Sequence, residues 1–392
     1  GMLLFPYVNS SHTGGRWRNF NFGQKPWQRT CPSGYKALCS TNLPDLFSGD
    51  NVNNPSKVTE VKKWEGNGTS GTDIKCSFRP DLVWIKNRTD ASTSYCVHDV
   101  IRGEDKGLHS DSTQAEWTDS TTLSDFNSDG FELGNHSYVN GDTKDFVAWI
   151  WDAGTAVAST SNSGSADPYT RWTNSDAGFS IVKATHGSGY QSKSLDHGLN
   201  ATPQLILNKG LNPSSGEDWR VYHPTIGTGG VIYLNKTDAA NTSTDSWKYT
   251  AVSSSSVTFD SYGTATEYMH YIWTAIKGYS HFGSYLGGAA NRFINCGFKP
   301  RLVLIKCHDV AGESWFFYDS ERGATAYLML DNNSQEYTNA NTVHFNANGF
   351  LLPGTGNGSN GSSKNYIFGA WAEHPFKTAK AGNAPPVSFK VN

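Results

Sequence analysis

Residues 78–87 read FRPDLVWIKN, and residues 298–307 read FKPRLVLIKC. Phe, Pro, Leu, Val, Ile and Lys recur in one register, and Arg79 stands where Lys299 does. A chain that writes the same ten residues twice is built from repeats, and repeats constrain the fold before any other feature does. The likeness continues on both sides. SYCVHDVIRG (94–103) matches SWFFYDSERG (314–323), which aligns Asp99 with Asp319, Arg102 with Arg322 and Gly103 with Gly323. FNSDGFEL (126–133) matches FNANGFLL (345–352), and each copy closes on an aromatic run, DFVAWIWDAG (145–154) or NYIFGAWAEH (365–374).

A weaker third copy lies between them. ATPQLILNKG (201–210) supplies Pro203 and Lys209, DWRVYHPTIG (218–227) supplies Trp219, and YMHYIWTAIKG (268–278) supplies Trp273. Pro80 to Pro203 is 123 residues and Trp151 to Trp273 is 122, while Pro203 to Pro300 is 97 and Trp273 to Trp371 is 98. Distant markers that keep their spacing indicate one structural unit used three times. The expected divisions are repeats at 56–154, 178–277 and 278–376, a Ser/Thr/Gly-rich linker at 155–177 and a tail at 377–392.

The unit reads as β-structure. LVWIK and LVLIK are short apolar runs with β-branched members, the pattern of a strand buried on both faces. The Pro before each run lacks an N–H donor and suits a strand entrance. Asp-Gly and Asn-Gly between apolar residues are hairpin signals. The closing run alternates, with Phe146, Ala148 and Ile150 on one face and Val147, Trp149 and Trp151 on the other. Helical periodicity is scarce, with room for one turn in 115–126. The expectation is an all-β chain of tandem antiparallel sandwiches or jelly rolls, roughly 100 residues each.

Composition supports this and excludes other classes. Charged residues are 17%, against a typical figure of about 25%, and aromatics are 13%. Net charge is −3, with no Lys/Arg run, so a nucleic-acid partner is not expected. No apolar run approaches the length of a membrane helix, and GMLLFPYVNS at the start lacks the pattern of a signal peptide. Six cysteines form no CxxC pair. Cys76 with Cys96 and Cys296 with Cys307 are the pairings open to it, and buried free thiols are the expected state.

The quoted repeats resemble those of bacteriophage virion proteins, common in tail-fibre-like proteins of marine phages. There they follow a concanavalin-like sandwich of the SPRY type, and LLFPYVNSSHTGGRWRNFNFGQKPW with PSGYKALCSTNLP resembles the last strands of one, over 1–46. The repeat resemblance covers about 56–376. It implies a non-enzymatic virion component, assembled in the host cytoplasm with other virion proteins, usually as a homotrimer. It also implies a longer polypeptide, because residue 1 falls inside the SPRY-like region. The second repeat departs from the pattern, with His223, Ile226 and Gly227 in place of the Asp…Arg-Gly signature.

Candidate chemistry is sparse. DFNSDG (125–130) opens like a calcium loop, but position 12 is His136 rather than Glu, so a hairpin is expected. HDVIRGEDKGLHSD (98–111) groups two His with four carboxylates, yet its counterpart YDSERGATAYLMLD loses both His, so solvated turn residues are expected rather than a metal site. Asp99/Arg102 and Asp319/Arg322 are expected to lock turns as bidentate pairs. Nucleophile elbow, zincin and P-loop motifs are absent, and no cofactor is implied. Trp84, Trp151, Trp273, Trp315 and Trp371 sit in repeated positions and are expected in the core. Trp117, Trp172 and Trp247 lie outside the repeated framework, in polar loops, and are the candidates for stacking on sugars. The leading expectation is therefore a phage fibre or appendage that binds host-surface polysaccharide. Its alternatives are a capsid decoration or connector, a secreted lectin-like adhesin, and a depolymerase with two facing carboxylates.

Overall fold

The computed structural model describes residues 52, 55–157, 169–187, 190–242, 248–261, 264–288, 290–339, 342–354 and 358–373, together with the backbone of 16–19 and 388–391. The chain forms two compact units, 1–46 with 376–392, and 47–375. In the first, Arg16–Asn19 pairs antiparallel with Ser388–Val391, so the end of the expected tail is a strand. The rest of the SPRY-like segment, with Cys31 and Cys39, lies outside the described residues.

The second unit is all-β, and its three repeats share one topology. In the first repeat a large sheet has the order Thr59–Glu65, Asp145–Trp151, Leu82–Asn87, Cys96–Asp99, and a small sheet has the order Thr72–Lys75, Gly130–Leu133, Leu123–Asn127. The second repeat repeats this order with Phe179–Thr185, Glu267–Trp273, Leu205–Gly210 and Arg220–Tyr222 over Gln191–Asp196, Ser256–Ser261 and Lys248–Val252. The third does so with Ser280–Leu286, Asn365–Ala372, Pro300–Cys307 and Trp315–Asp319 over Arg292–Asn295, Gly349–Leu352 and His344–Asn346. The span expected as a linker instead carries Thr155–Val157 and Tyr169–Asn174, which extend the second large sheet beyond Phe179–Thr185. Their ladder bonds give this polar stretch the regular structure that composition alone did not suggest.

Local chemistry explains these elements. The Leu82–Asn87 strand is buried at every position, and its ladder begins at Asp81, whose amide bonds Trp151 O just after the donor-less Pro80. Asn127 pairs with Gly130, so Ser128 and Asp129 form the tip of the expected hairpin. Gly130 has φ of 155°, and a Cβ there would meet Ile74 O at 2.1 Å, which is why only Gly fits. The turn expected in 115–126 is strand instead, at Trp117–Thr118 and Leu123–Asn127. One helical turn forms at Ser137–Asn140, capped by His136.

The alternation of the closing strand divides two cores. Phe146, Ala148 and Ile150 pack with Val83, Ile85, Phe131 and Leu133 inside the first sandwich. Val147, Trp149 and Trp151 join Phe179, Tyr271, Trp273, Leu302, Phe317 and Trp371 in a core shared by all three repeats. Each central strand is thus covered by its own small sheet on one face and by the other repeats on the other. The contacts are cyclic. Trp151, Trp273 and Trp371, equivalent residues, meet edge to face with centroids 5.8, 5.7 and 6.0 Å apart. Glu116 N bonds Leu211 O, Ala240 N bonds His308 O, and Glu336 N bonds Arg88 O, at 2.7–3.0 Å. Tyr95 Oη donates to Met329 O, Trp219 Nε1 to His109 O, and Trp315 Nε1 to Tyr233 O. The three sandwiches therefore close into a ring of approximate threefold symmetry within one chain.

Candidate functional site

Two short paired strands set up the cavity. Lys106–Gly107 pairs with Trp117–Thr118, in the register Gly107↔Trp117. The Trp117 ring lies over Gly107 so closely that a Cβ there would meet its Cζ2 at 2.0 Å. His98 meets this ring edge-on at 5.5 Å, and His109 tilts against it at 5.4 Å. The capped turn brings in His136 and Tyr138, whose rings cross at 4.7 Å. Together with Thr118, Asp119 and Thr122 they line a cavity of about 210 Å³.

Its polar groups are held in defined states. Asp119 Oδ1 accepts from Thr121 N at 2.8 Å and Thr121 Oγ1 at 2.6 Å, which holds this carboxyl below its ordinary range. Its Oδ2 faces His136 Nε2 at 3.8 Å, outside hydrogen-bond reach. His136 Nδ1 accepts from Tyr138 N, so in the neutral ring Nε2 carries the proton. His109 Nδ1–H donates to Tyr95 O at 2.7 Å, which leaves its Nε2 as an acceptor. The Trp117 indole N–H is buried and has no partner among the described residues. The lining thus offers aromatic faces, one carboxylate acceptor and imidazole groups of both polarities.

The other singled-out residues lie elsewhere. Trp172 is in the Tyr169–Asn174 strand rather than a loop, half-buried against the shared core with the Arg79 guanidinium 4.8 Å above its ring. Trp247 lies outside the described residues. Asp99 and Arg102 form a buried pair at 2.5 Å through Nε rather than the expected bidentate fork, because Nη2 is drawn to a backbone carbonyl. Asp99 Oδ1 also accepts from the amides of Ile101 and Arg102, Oδ2 accepts from Tyr271 Oη at 2.7 Å, and Arg102 Nη2 donates to Val97 O. Asp319 and Arg322 repeat this at 2.5 Å, with Trp149 Nε1 donating to Asp319. Each pair locks a turn and anchors the neighbouring repeat, because its extra donor comes from the next closing strand. In the second repeat Glu217 and Arg220 form a different buried pair at 3.4 Å.

Among the described residues no group of three or more His, Cys, Asp or Glu could hold a metal. In the 98–111 stretch, His98 and Asp99 are buried rather than solvated, since His98 packs under Trp117. Burial and the Arg102 charge push the His98 imidazole down to about 3, so it stays neutral. Cys76, Cys96, Cys296 and Cys307 are free thiols. Burial pushes Cys76 and Cys296 up to about 12 and Cys307 to about 11, which leaves them unreactive. The strand-ending lysines are a surprise. Lys86, Lys209 and Lys306 are fully buried and donate to the carbonyls of Thr93, Glu217 and Glu313, and desolvation pulls them down to about 8, 7 and 8.

Sequence reasoning selected Trp117 but missed His109, Asp119, His136 and Tyr138 as its companions. It also took Trp117 as unrepeated. The register places it opposite Gly107 as Tyr337 stands opposite Tyr327, and the Glu-Trp-Thr/Glu-Tyr-Thr match at 116–118 and 336–338 was the available signal. A family model described as a domain of unknown function (DUF7483) matches residues 54–375. No curated protein and no solved structure is significantly similar to the chain.

Proposed function

The chain belongs to the DUF7483 family, and from that premise we propose that it is a non-enzymatic virion protein of a phage, part of a fibre or appendage, that binds host-surface carbohydrate in the Trp117 cavity. The observation that carries this reading is the combination lining that cavity. A flat indole and a phenol ring suit the C–H face of a pyranose, and Asp119 with the imidazoles of His109 and His136 suits its hydroxyls. At about 210 Å³ the space is below the ~300–1,000 Å³ of drug-sized ligand pockets, which suits a single sugar unit. One carboxylate lines it, whereas glycoside cleavage uses two facing each other. The ring of sandwiches supplies a rigid base for such a site. The virion assignment is supported by the repeat resemblance, which also suggests partnership with other virion proteins.

Two measurements test it. Cryo-electron microscopy of intact particles is expected to place the chain on a projecting appendage, whereas density spread over the capsid lattice would favour decoration. Binding of purified chain to host lipopolysaccharide and capsular polysaccharide is expected to fall about tenfold on Trp117→Ala, as loss of ~1.4 kcal/mol of stacking requires. Unchanged binding would overturn the assignment of the cavity.

A further inference from the structure

The strand that holds Trp117 has a counterpart in the third repeat. Ala326–Met329 pairs with Tyr337–Thr338 in the register Tyr327↔Tyr337. Both strands are anchored alike, since Glu116 and Glu336 give their amides to the neighbouring repeat and reach Arg102 and Arg322 at 3.5 and 3.2 Å. The pair Gly107 and Trp117 is replaced by two phenol rings. Tyr337 stacks on Tyr327 at 5.4 Å and 16°, and Tyr327 packs on Phe316 at 5.7 Å and Tyr318 at 6.1 Å. Phe316 and Tyr318 are buried, while Tyr337 is 38% exposed, so this aromatic row runs from the interior to an open edge strand. Burying an exposed ring on such a backing costs little ordering entropy, because the ring is already held flat by its neighbour. In the second repeat Asn241 faces Val231 at this place, and no ring is present.

We propose that Tyr337, backed by Tyr327, is a second carbohydrate-stacking site, so that one chain carries two sites on its three repeats. This rests on the reading of the Trp117 cavity. The ligand class is the same, a polysaccharide that presents successive pyranose faces. Met329 stands where His109 does, so the second site has fewer polar groups and is the weaker and less selective of the two. Two sites on one rigid body raise the affinity for a polymer above that for a single sugar, by ~10²–10⁴ when both engage.

The test uses the full chain, free glucose, galactose, mannose and N-acetylglucosamine, and immobilised lipopolysaccharide. Wild type, Trp117→Ala, Tyr337→Ala, Tyr337→Phe and the double alanine variant are compared, with circular dichroism confirming the fold of each. The expected result is that each single alanine weakens lipopolysaccharide binding at least ~tenfold, the double variant does not bind, and Tyr337→Phe binds like wild type. Tyr337→Ala binding like wild type while Trp117→Ala is impaired overturns the second site and leaves the first standing. Loss on Tyr337→Ala alone supports the Tyr337 platform and overturns the cavity reading. A wild type that binds neither the sugars nor the polymer overturns both.

Discussion

Removing one indole from the centre of the ring tests its cooperativity. Trp273 is 2% exposed, stacks on Phe179 at 4.6 Å, and meets Trp151 and Trp371 edge to face. A buried indole removes about 200 Å² from water, so at ~25 cal/mol per Å² Trp273→Ala forfeits about 5 kcal/mol. Collapse of the surroundings cannot recover much of this. The three large sheets that wall the space are tied to each other by the inter-repeat backbone bonds, so a cavity remains, and measured Trp→Ala losses of ~3–5 kcal/mol in cores are the proper comparison. Because the indole touches residues of all three repeats, the loss is felt by the whole ring. Guanidinium chloride unfolding, followed by near-UV and far-UV circular dichroism, is expected to show one coincident transition for the 47–375 unit in wild type and variant, displaced by ~4–5 kcal/mol. A loss under ~1.5 kcal/mol, or a variant in which the transition of that unit splits into one part that moves and one that stays, refutes a shared, mutually dependent core.

Four further outcomes follow from buried groups. Asp99→Asn leaves the buried Arg102 charge with only the Glu116 carboxylate, at 3.5 Å, as counter-ion and is expected to cost about 3 kcal/mol, while adding Arg102→Met recovers most of it, as a double-mutant cycle of thermal denaturation will read. Gly130→Ala forces a Cβ against Ile74 O and is expected to cost about 1–3 kcal/mol by chemical denaturation, with loss of the 123–133 hairpin. Burial and the neighbouring Asp152 raise Asp81 to about 8, so its contribution to stability is complete below pH 4 and is lost as pH climbs through 8; Asp81→Asn is expected to flatten the melting temperature over that window. Burial depresses His186 and His223 to about 4, so their contribution is present above pH 6.5 and disappears as pH falls through 4; melting temperatures are expected to drop steeply there and less so in His186→Phe.

Much of the fold was legible because its signals are local. The Asp-Gly hairpin, the Pro before the central strand and the alternation of Phe146 to Trp151 each report on neighbours a few residues away, and each is realised. Spacing between Pro80, Pro203 and Pro300 revealed the repeats. It was silent on their closure into a ring, because those contacts join Trp151, Trp273 and Trp371 across more than ninety residues, and burial of an indole in its own domain leaves the same trace in sequence. Burial of the LVWIK and LVLIK runs was legible, but what satisfies Lys86, Lys209 and Lys306 was not, since nothing in the sequence announces a carbonyl waiting for each ammonium. The cavity was hardest. Trp117 stood out by polarity of context, but His109 and His136 reach it only through the pairing of Lys106–Gly107 and the capped turn at Ser137.

Closure of the ring also sets an order of events during synthesis. Trp151 finds its last partner, Trp371, 220 residues later, and the Arg88 carbonyl waits for Glu336 across 248. At ~5–20 residues per second a ribosome takes about 10–45 s to span that gap. Throughout that time the first repeat holds an uncovered apolar face toward solvent, and the same face on another nascent chain is its chemical equal. Two polysomal chains that lend each other a sandwich satisfy every bond that one chain satisfies alone, so crowded expression favours exchanged dimers, and slowing initiation favours the closed monomeric ring.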